Sequence, residues 1–166
     1  MVISEILGQQ SKMSPATPSG EDVALVTVLA HTTKVFSAQA AEILGKQGFT
    51  LDEWMVLDTI QHSDGSSMSQ ISAATGCSGA SLTRTVDKLV TGALAYREAS
   101  QVDRRKVEVF LSNRGAEVHR QLSNHLLHLE SSVDNLISHS GLDREALVRF
   151  LRALHNPDHL LAGLDG

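Results

Sequence analysis

GCSGASLTRTVDKLVTGALAYREASQVDRRK, residues 76–106, is the stretch on which the fold turns. Its first half carries Leu82, Val86, Leu89 and Val90 at helical spacing, so one face of a short helix is apolar. The opposite face presents Ala80, Ser81, Arg84, Thr85 and Lys88, a small, polar and cationic surface. Such a face suits the major groove of duplex DNA, because slim residues permit close approach and an arginine reads guanine O6 and N7 with paired hydrogen bonds. Arg84 is the expected reader. Ser78, Ser81, Thr83 and Thr85 are short donors for phosphates or base edges, and Lys88, farther along, is expected to meet phosphate.

The second half of the stretch reads as a hairpin. ALAYREA (93–99) and KVEVFLS (106–112) pair across SQVDRR, because Val107, Val109 and Leu111 alternate with polar residues. Arg104, Arg105 and Lys106 then stand consecutively at the tip, where their mutual repulsion calls for an anion. A narrow minor groove supplies one, and guanidinium enters it at a lower dehydration cost than ammonium. On this reading Arg105 is inserted, Arg104 touches phosphate and Asp103 braces an arginine; the plainer alternative is a solvated charged turn.

Upstream, SQISAAT (69–75) forms a short helix before the Gly76 turn, with Ser69 as its N-cap and Ser78 as the cap of the helix that follows. The pair is a helix-turn-helix. Thr50 and Glu53 make a capping box for a helix bearing Leu51, Trp54, Leu57 and Ile60, which ends at Ser63, Asp64 and Gly65. From Glu21 to Gly45 the set Val26, Leu29, Thr33, Phe36, Ala40 and Ile43, widened by Leu25, Val28 and Val35, predicts an amphipathic helix. Downstream, Ser112 caps a helix from Asn113 to His139 with Val118, Leu122, Leu126, Leu129, Val133 and Leu136 on one face. At about 1.5 Å per residue it reaches roughly 40 Å, more than a small reading head covers. A last helix, Asp143 to His155, carries Leu147, Phe150, Leu151 and Leu154. These stripes predict that the outer helices pair with their copies in a homodimer.

The whole chain has 166 residues and a formal net charge of −5, yet residues 76–106 carry +3 and the remainder −8. Acidity overall therefore does not argue against a nucleic-acid surface. The single cysteine, Cys77, forms no internal disulfide, and no secretory signal or bilayer-length apolar run is visible, so a cytoplasmic protein without membrane association is expected. Cys77 reads as a small hydrophobe packed in the turn, with a redox role as the lesser alternative. His125 and His128 share a helix face but lack converging partners, so no metal and no cofactor is expected. No phosphate loop, HExxH or GxSxG occurs, which argues against an enzyme.

Residues 50–115, from TLDEWMVLDTI through LTRTVDKLV to VDRRKVEVFLSNRG, resemble the MarR family of winged helix-turn-helix regulators. The resemblance implies a mainly α protein with a small β-hairpin wing and a helical dimerisation region. Its expected division is a flexible arm at 1–20, a dimerisation helix at 21–48, the DNA-binding region at 49–112, C-terminal dimerisation helices at 113–156 and a tail at 157–166. It also implies a ligand-responsive homodimeric repressor on a pseudo-palindromic operator, released by a small aromatic effector. His31 and Trp54 would line the effector cleft, although Trp54 also reads as core. The alternative is a winged-helix module for protein contacts that has lost DNA binding. Where the family has Gly followed by Leu, this chain has Gly92, Ala93, Leu94, and the helix is expected to end with Gly92 in the left-handed conformation.

Overall fold

The computed structural model describes residues 24–100, 103 and 105–155. The expected arm at 1–20, the tail at 157–166 and Arg104 lie outside the described residues. The chain separates into two units, 1–36 and 37–166, with the division inside the first helix. That helix, α1, runs from Leu25 to Gly45. In the first unit Leu25, Val26, Val28 and Val35 are exposed.

The second unit holds the core. Thr50 caps α2 (Leu51–Gln61) through the predicted box: Thr50 Oγ1 accepts the Glu53 N–H at 3.2 Å and Glu53 Oε2 accepts the Thr50 N–H at 2.9 Å. A two-residue strand, β1 (Ser66–Ser67), leads into α3 (Met68–Thr75). The cap of α3 is Ser67, not Ser69, because Gln70 stands three residues on and closes a second box: Ser67 Oγ accepts the Gln70 N–H at 3.3 Å, and Gln70 Oε1 accepts the Ser67 N–H at 2.8 Å. Gly76 turns the chain at φ 71°, and α4 (Gly79–Thr91) follows. Cys77 packs against the core, as its size suggests.

Strands β2 (Ala95–Ala99) and β3 (Val107–Leu111) pair antiparallel, with Arg97 opposite Val109, and β1 adds to the free edge of β3 in the order β1-β3-β2. Beneath this sheet Leu57, Ile60, Ile71, Val86, Leu89 and Val109 are buried together with Leu44 and Leu122. Ser112 caps α5 (Asn113–Ser140) by accepting the Gly115 N–H at 2.9 Å, and α6 (Arg144–His155) ends the described chain. Helix α5 joins the core as far as Leu129: Leu122 and Leu126 are buried and Leu129 packs against the cluster, whereas Leu136 is 72% exposed.

The end of α4 departs from expectation. Gly92 has φ −75° and it is Ala93, at φ 55°, that turns left-handed. The reason lies in the closing hydrogen bonds, Ala93 N–H to the Val90 carbonyl and Leu94 N–H to the Leu89 carbonyl, both at 2.9 Å. This Schellman arrangement sends Leu94 into the core at 7% exposure, and the position before it must take the unfavourable φ. A left-handed alanine costs about 1–2 kcal/mol. Ala93→Gly should therefore raise stability by up to about 1 kcal/mol after the added unfolded-state entropy is discounted. Urea unfolding would register this as a higher midpoint, and a lower midpoint would contradict the assignment.

Candidate nucleic-acid interface

Helix α4 sets out the predicted face. Leu82, Val86 and Leu89 are 3%, 0% and 2% exposed, which turns Ala80, Ser81, Arg84 and Lys88 to solvent and leaves Thr85 half-buried. Ser78 occupies the N-cap with extended φ and ψ, but its side chain makes no cap hydrogen bond. Its hydroxyl thus satisfies no first-turn amide; the Ser81 N–H donates to the Ser78 carbonyl at 3.2 Å, and the two amides ahead of it lie at the helix end that favours an anion. Thr83 is exposed, and its hydroxyl donates to the Gly79 carbonyl at 3.2 Å.

Two cations of this region are engaged within the fold. The Lys88 ammonium sits on the Glu53 carboxylate, itself 4% exposed, at the start of α2. Lys88, expected on phosphate, is thus committed to anchoring the end of α4, an ion pair that sequence reading missed. Arg97, on β2, donates from Nη2 to Asp87 Oδ1 of α4 at 2.7 Å and ties the hairpin to the reading helix. Among the described residues no acidic side chain lies within ion-pair distance of Arg84, Arg105 or Lys106, and all three are exposed.

The wing tip is held by backbone contacts. Ser100 N–H donates to the Lys106 carbonyl at 2.9 Å and Lys106 N–H to the Asp103 carbonyl at 2.8 Å. Asp103 Oδ1 accepts the Arg105 backbone N–H at 3.1 Å, so Asp103 braces the turn through the main chain of Arg105. That leaves the Arg105 guanidinium available to an outside anion.

A second group of side chains lies between α2 and α5. Trp54 stacks on His119 with ring centroids 6.3 Å apart, and His119 Nε2 is 2.9 Å from Asp58 Oδ1. His62 meets the His119 ring edge-on at 6.1 Å. The Trp54 indole nitrogen is buried without a hydrogen-bond partner among the described residues. Beside this group a cavity of about 740 Å³ is lined by Asp58, His62, Leu151 and Arg152, among others. Sequence reading singled out Trp54 here but not Asp58, His62 or His119. His31 is exposed on α1. No three His, Cys, Asp or Glu side chains among the described residues come together as a metal site would require.

Residues 47–106 match the model of the MarR family, and the resemblance read from the sequence is borne out over that stretch. No curated protein matches the chain. Among solved structures the chain is similar to Bordetella bronchiseptica BpsR, whose DNA binding is regulated by 6-hydroxynicotinic acid, at 20% identity over 84% of this chain and 98% of that one, with a TM-score of 0.64. It is similar to NadR in complex with 4-hydroxyphenylacetate at 16% identity, covering 84% of this chain and 99% of that one, with a TM-score of 0.71. It is also similar to the transcriptional repressor CouR bound to a 23-mer DNA duplex, at 18% identity over 80% and 93% of the two chains and a TM-score of 0.66. At these identities the likeness establishes the fold: mainly helical, with the winged helix-turn-helix that the sequence predicted.

Proposed function

With residues 47–106 matching the MarR family, we propose that the protein is a sequence-specific duplex-DNA-binding transcriptional regulator, acting in the cytoplasm as a homodimeric, ligand-responsive repressor and not as an enzyme. The observation that carries this is the division among the cations of residues 76–106. Lys88 and Arg97 are neutralised inside the fold, while Arg84 on α4 and Arg105 and Lys106 on the wing are exposed without acidic partners among the described residues. Ser78, Ser81, Thr83 and Thr85 supply further polar contacts along the reading helix, and Arg104 adds to the wing. The reading helix serves the major groove and the wing the minor groove. Selection of bound duplexes from a random pool, followed by binding at graded salt, tests this. A pseudo-palindromic consensus is expected, and failure to retain any duplex at low salt would overturn the proposal.

The flanking helices at 21–48 and 113–156 serve as the dimerisation elements. Leu136, Leu142, Phe150 and Leu151 are 72%, 57%, 49% and 46% exposed in the single chain, apolar surface for which a second copy is the economical cover. Replacing Leu136 and Phe150 together by Lys should turn the dimer into a monomer by light scattering and weaken operator binding on the order of 100-fold, because the second half-site no longer adds avidity. The effector is a small aromatic molecule accommodated beside Trp54, His119 and Asp58; that α2 surface adjoins the 740 Å³ cavity. No helix among the described residues is long and apolar enough to cross a membrane.

A further inference from the structure

The wing sheet has an outer face that serves neither the core nor the reading helix. Val109 is buried on the inner face, and Arg97, its partner across the strands, reaches Asp87 of α4 from that same side. Side chains alternate along a strand, so Tyr96 and Glu98 of β2 stand on the outer face opposite Phe110 and Glu108 of β3. The Tyr96 and Phe110 rings stack with centroids 5.5 Å apart and planes 17° from parallel. Phe110 is packed against Gly65, where a Cβ would stand 2.6 Å from its ring. The ring left open to solvent is that of Tyr96, 41% exposed on the edge strand β2. Beside it Glu98 and Glu108 face each other directly across the strands, a like-charged pair that weakens a hairpin. Among the described residues no cation stands within ion-pair distance of either carboxylate. A recess of about 270 Å³ next to the two rings adds Asp64, Gln61 and Asn113, and no lysine or arginine lines it. The outer face is thus aromatic and anionic.

We propose that this outer face docks an arginine-bearing segment of a partner protein. The guanidinium lies flat on the open side of the Tyr96 ring and donates paired hydrogen bonds to Glu98, two residues along on the same face. Arginine suits the place better than lysine, because a planar and weakly hydrated cation stacks and pairs at once. Its charge also relieves the repulsion between Glu98 and Glu108, which the free chain leaves uncompensated. Complementary charge selects the class of partner: a polyanion is repelled from this face, and a basic protein segment is drawn to it. The face turns away from α4, so a docked segment leaves the reading helix free. The binding does not rest on the proposed function.

Tyr96 is the only tyrosine in the sequence, so fluorotyrosine incorporated into the full chain reports this face alone by fluorine NMR. The probe is the capped peptide Gly-Arg-Gly-Arg-Gly, titrated without DNA at about 0.15 M salt to screen distant charges. The fluorine signal should shift and saturate with a Kd on the order of 1 mM, and the lysine counterpart should bind about fivefold more weakly. Glu98→Gln combined with Glu108→Gln should weaken the arginine peptide about tenfold. This double variant lifts a repulsion, so the hairpin is expected to persist. Glu42→Gln with Glu117→Gln, which removes the same charge elsewhere, should leave binding unchanged. No shift at about 10 mM peptide, equal affinity for the lysine peptide, or equal loss in the two double variants would each overturn the proposal. A signal that moved with protein concentration alone would make a second copy the occupant and overturn the assignment to a partner protein. With no DNA present, failure here is distinguishable from failure of the DNA-binding reading.

Discussion

Gly115→Ala is expected to cost about 3 kcal/mol or more of stability. A Cβ at this position would stand 1.9 Å from the Leu94 carbonyl oxygen and 2.7 Å from Leu111 Cδ1. The carbonyl has little room to retreat. It accepts the Ser112 N–H and the Ser112 hydroxyl, both at 3.0 Å, while the Leu94 N–H is fixed on Leu89 at 2.9 Å. Ser112 in turn caps α5 through the Gly115 N–H at 2.9 Å and donates to the Ala93 carbonyl at 2.8 Å. The end of α4, the start of β2 and the start of α5 are thus packed against one another at a point where only hydrogen fits. Urea unfolding followed by circular dichroism measures the loss as a lower midpoint. Gly45→Ala is the control, since nothing lies within 4 Å of the place its new methyl group would take and helix propensity there favours alanine. If the two variants had equal midpoints, close approach at Gly115 would not be what matters.

The same junction marks how far the sequence alone leads. Helix α4 is legible because its stripe of Leu82, Val86 and Leu89 is periodic, and the caps at Thr50 and Ser112 because their partners lie three residues away. Ser67 is legible in principle through Gln70, but a run of serines offers Ser69 equally well. Strand β1 has two residues and therefore no alternation to detect. Ala93 escapes sequence reading because glycine propensity favours Gly92, whereas the register of Leu94 in the core decides. At the candidate site, Arg84, Arg105 and Lys106 emerge from local charge patterning. The pairing of Lys88 with Glu53 joins separate helices, and that of His119 with Asp58 spans 61 residues, so neither leaves a local signal. Trp54 is both: it packs against the core and stacks on His119.

Arg84→Ala and Arg105→Ala should impair DNA binding in two distinguishable ways. Arg84 stands on the exposed face of α4 opposite the buried Leu82, Val86 and Leu89, where a guanidinium can reach base edges. Its loss should cost about 1–3 kcal/mol, a factor of roughly 5 to 150, at one base position and relax the sequence preference there. Arg105 stands on a wing turn whose backbone is fixed by Asp103, so its truncation should leave the turn in place and remove only a charge from the minor groove. Binding should then weaken across all sequences, and the slope of log K against log salt should flatten by about one unit. Fluorescence anisotropy on the selected operator and on single-base variants, at several salt concentrations, separates the two outcomes. Equal loss on every base variant for Arg84→Ala would move that residue from bases to phosphate. An unchanged affinity and salt slope for Arg105→Ala would remove the wing from the interface and leave α4 as the sole reader. Asp103→Ala adds the decisive contrast: it should lower affinity with the salt slope nearly intact, because the charge remains while the turn that aims it is loosened.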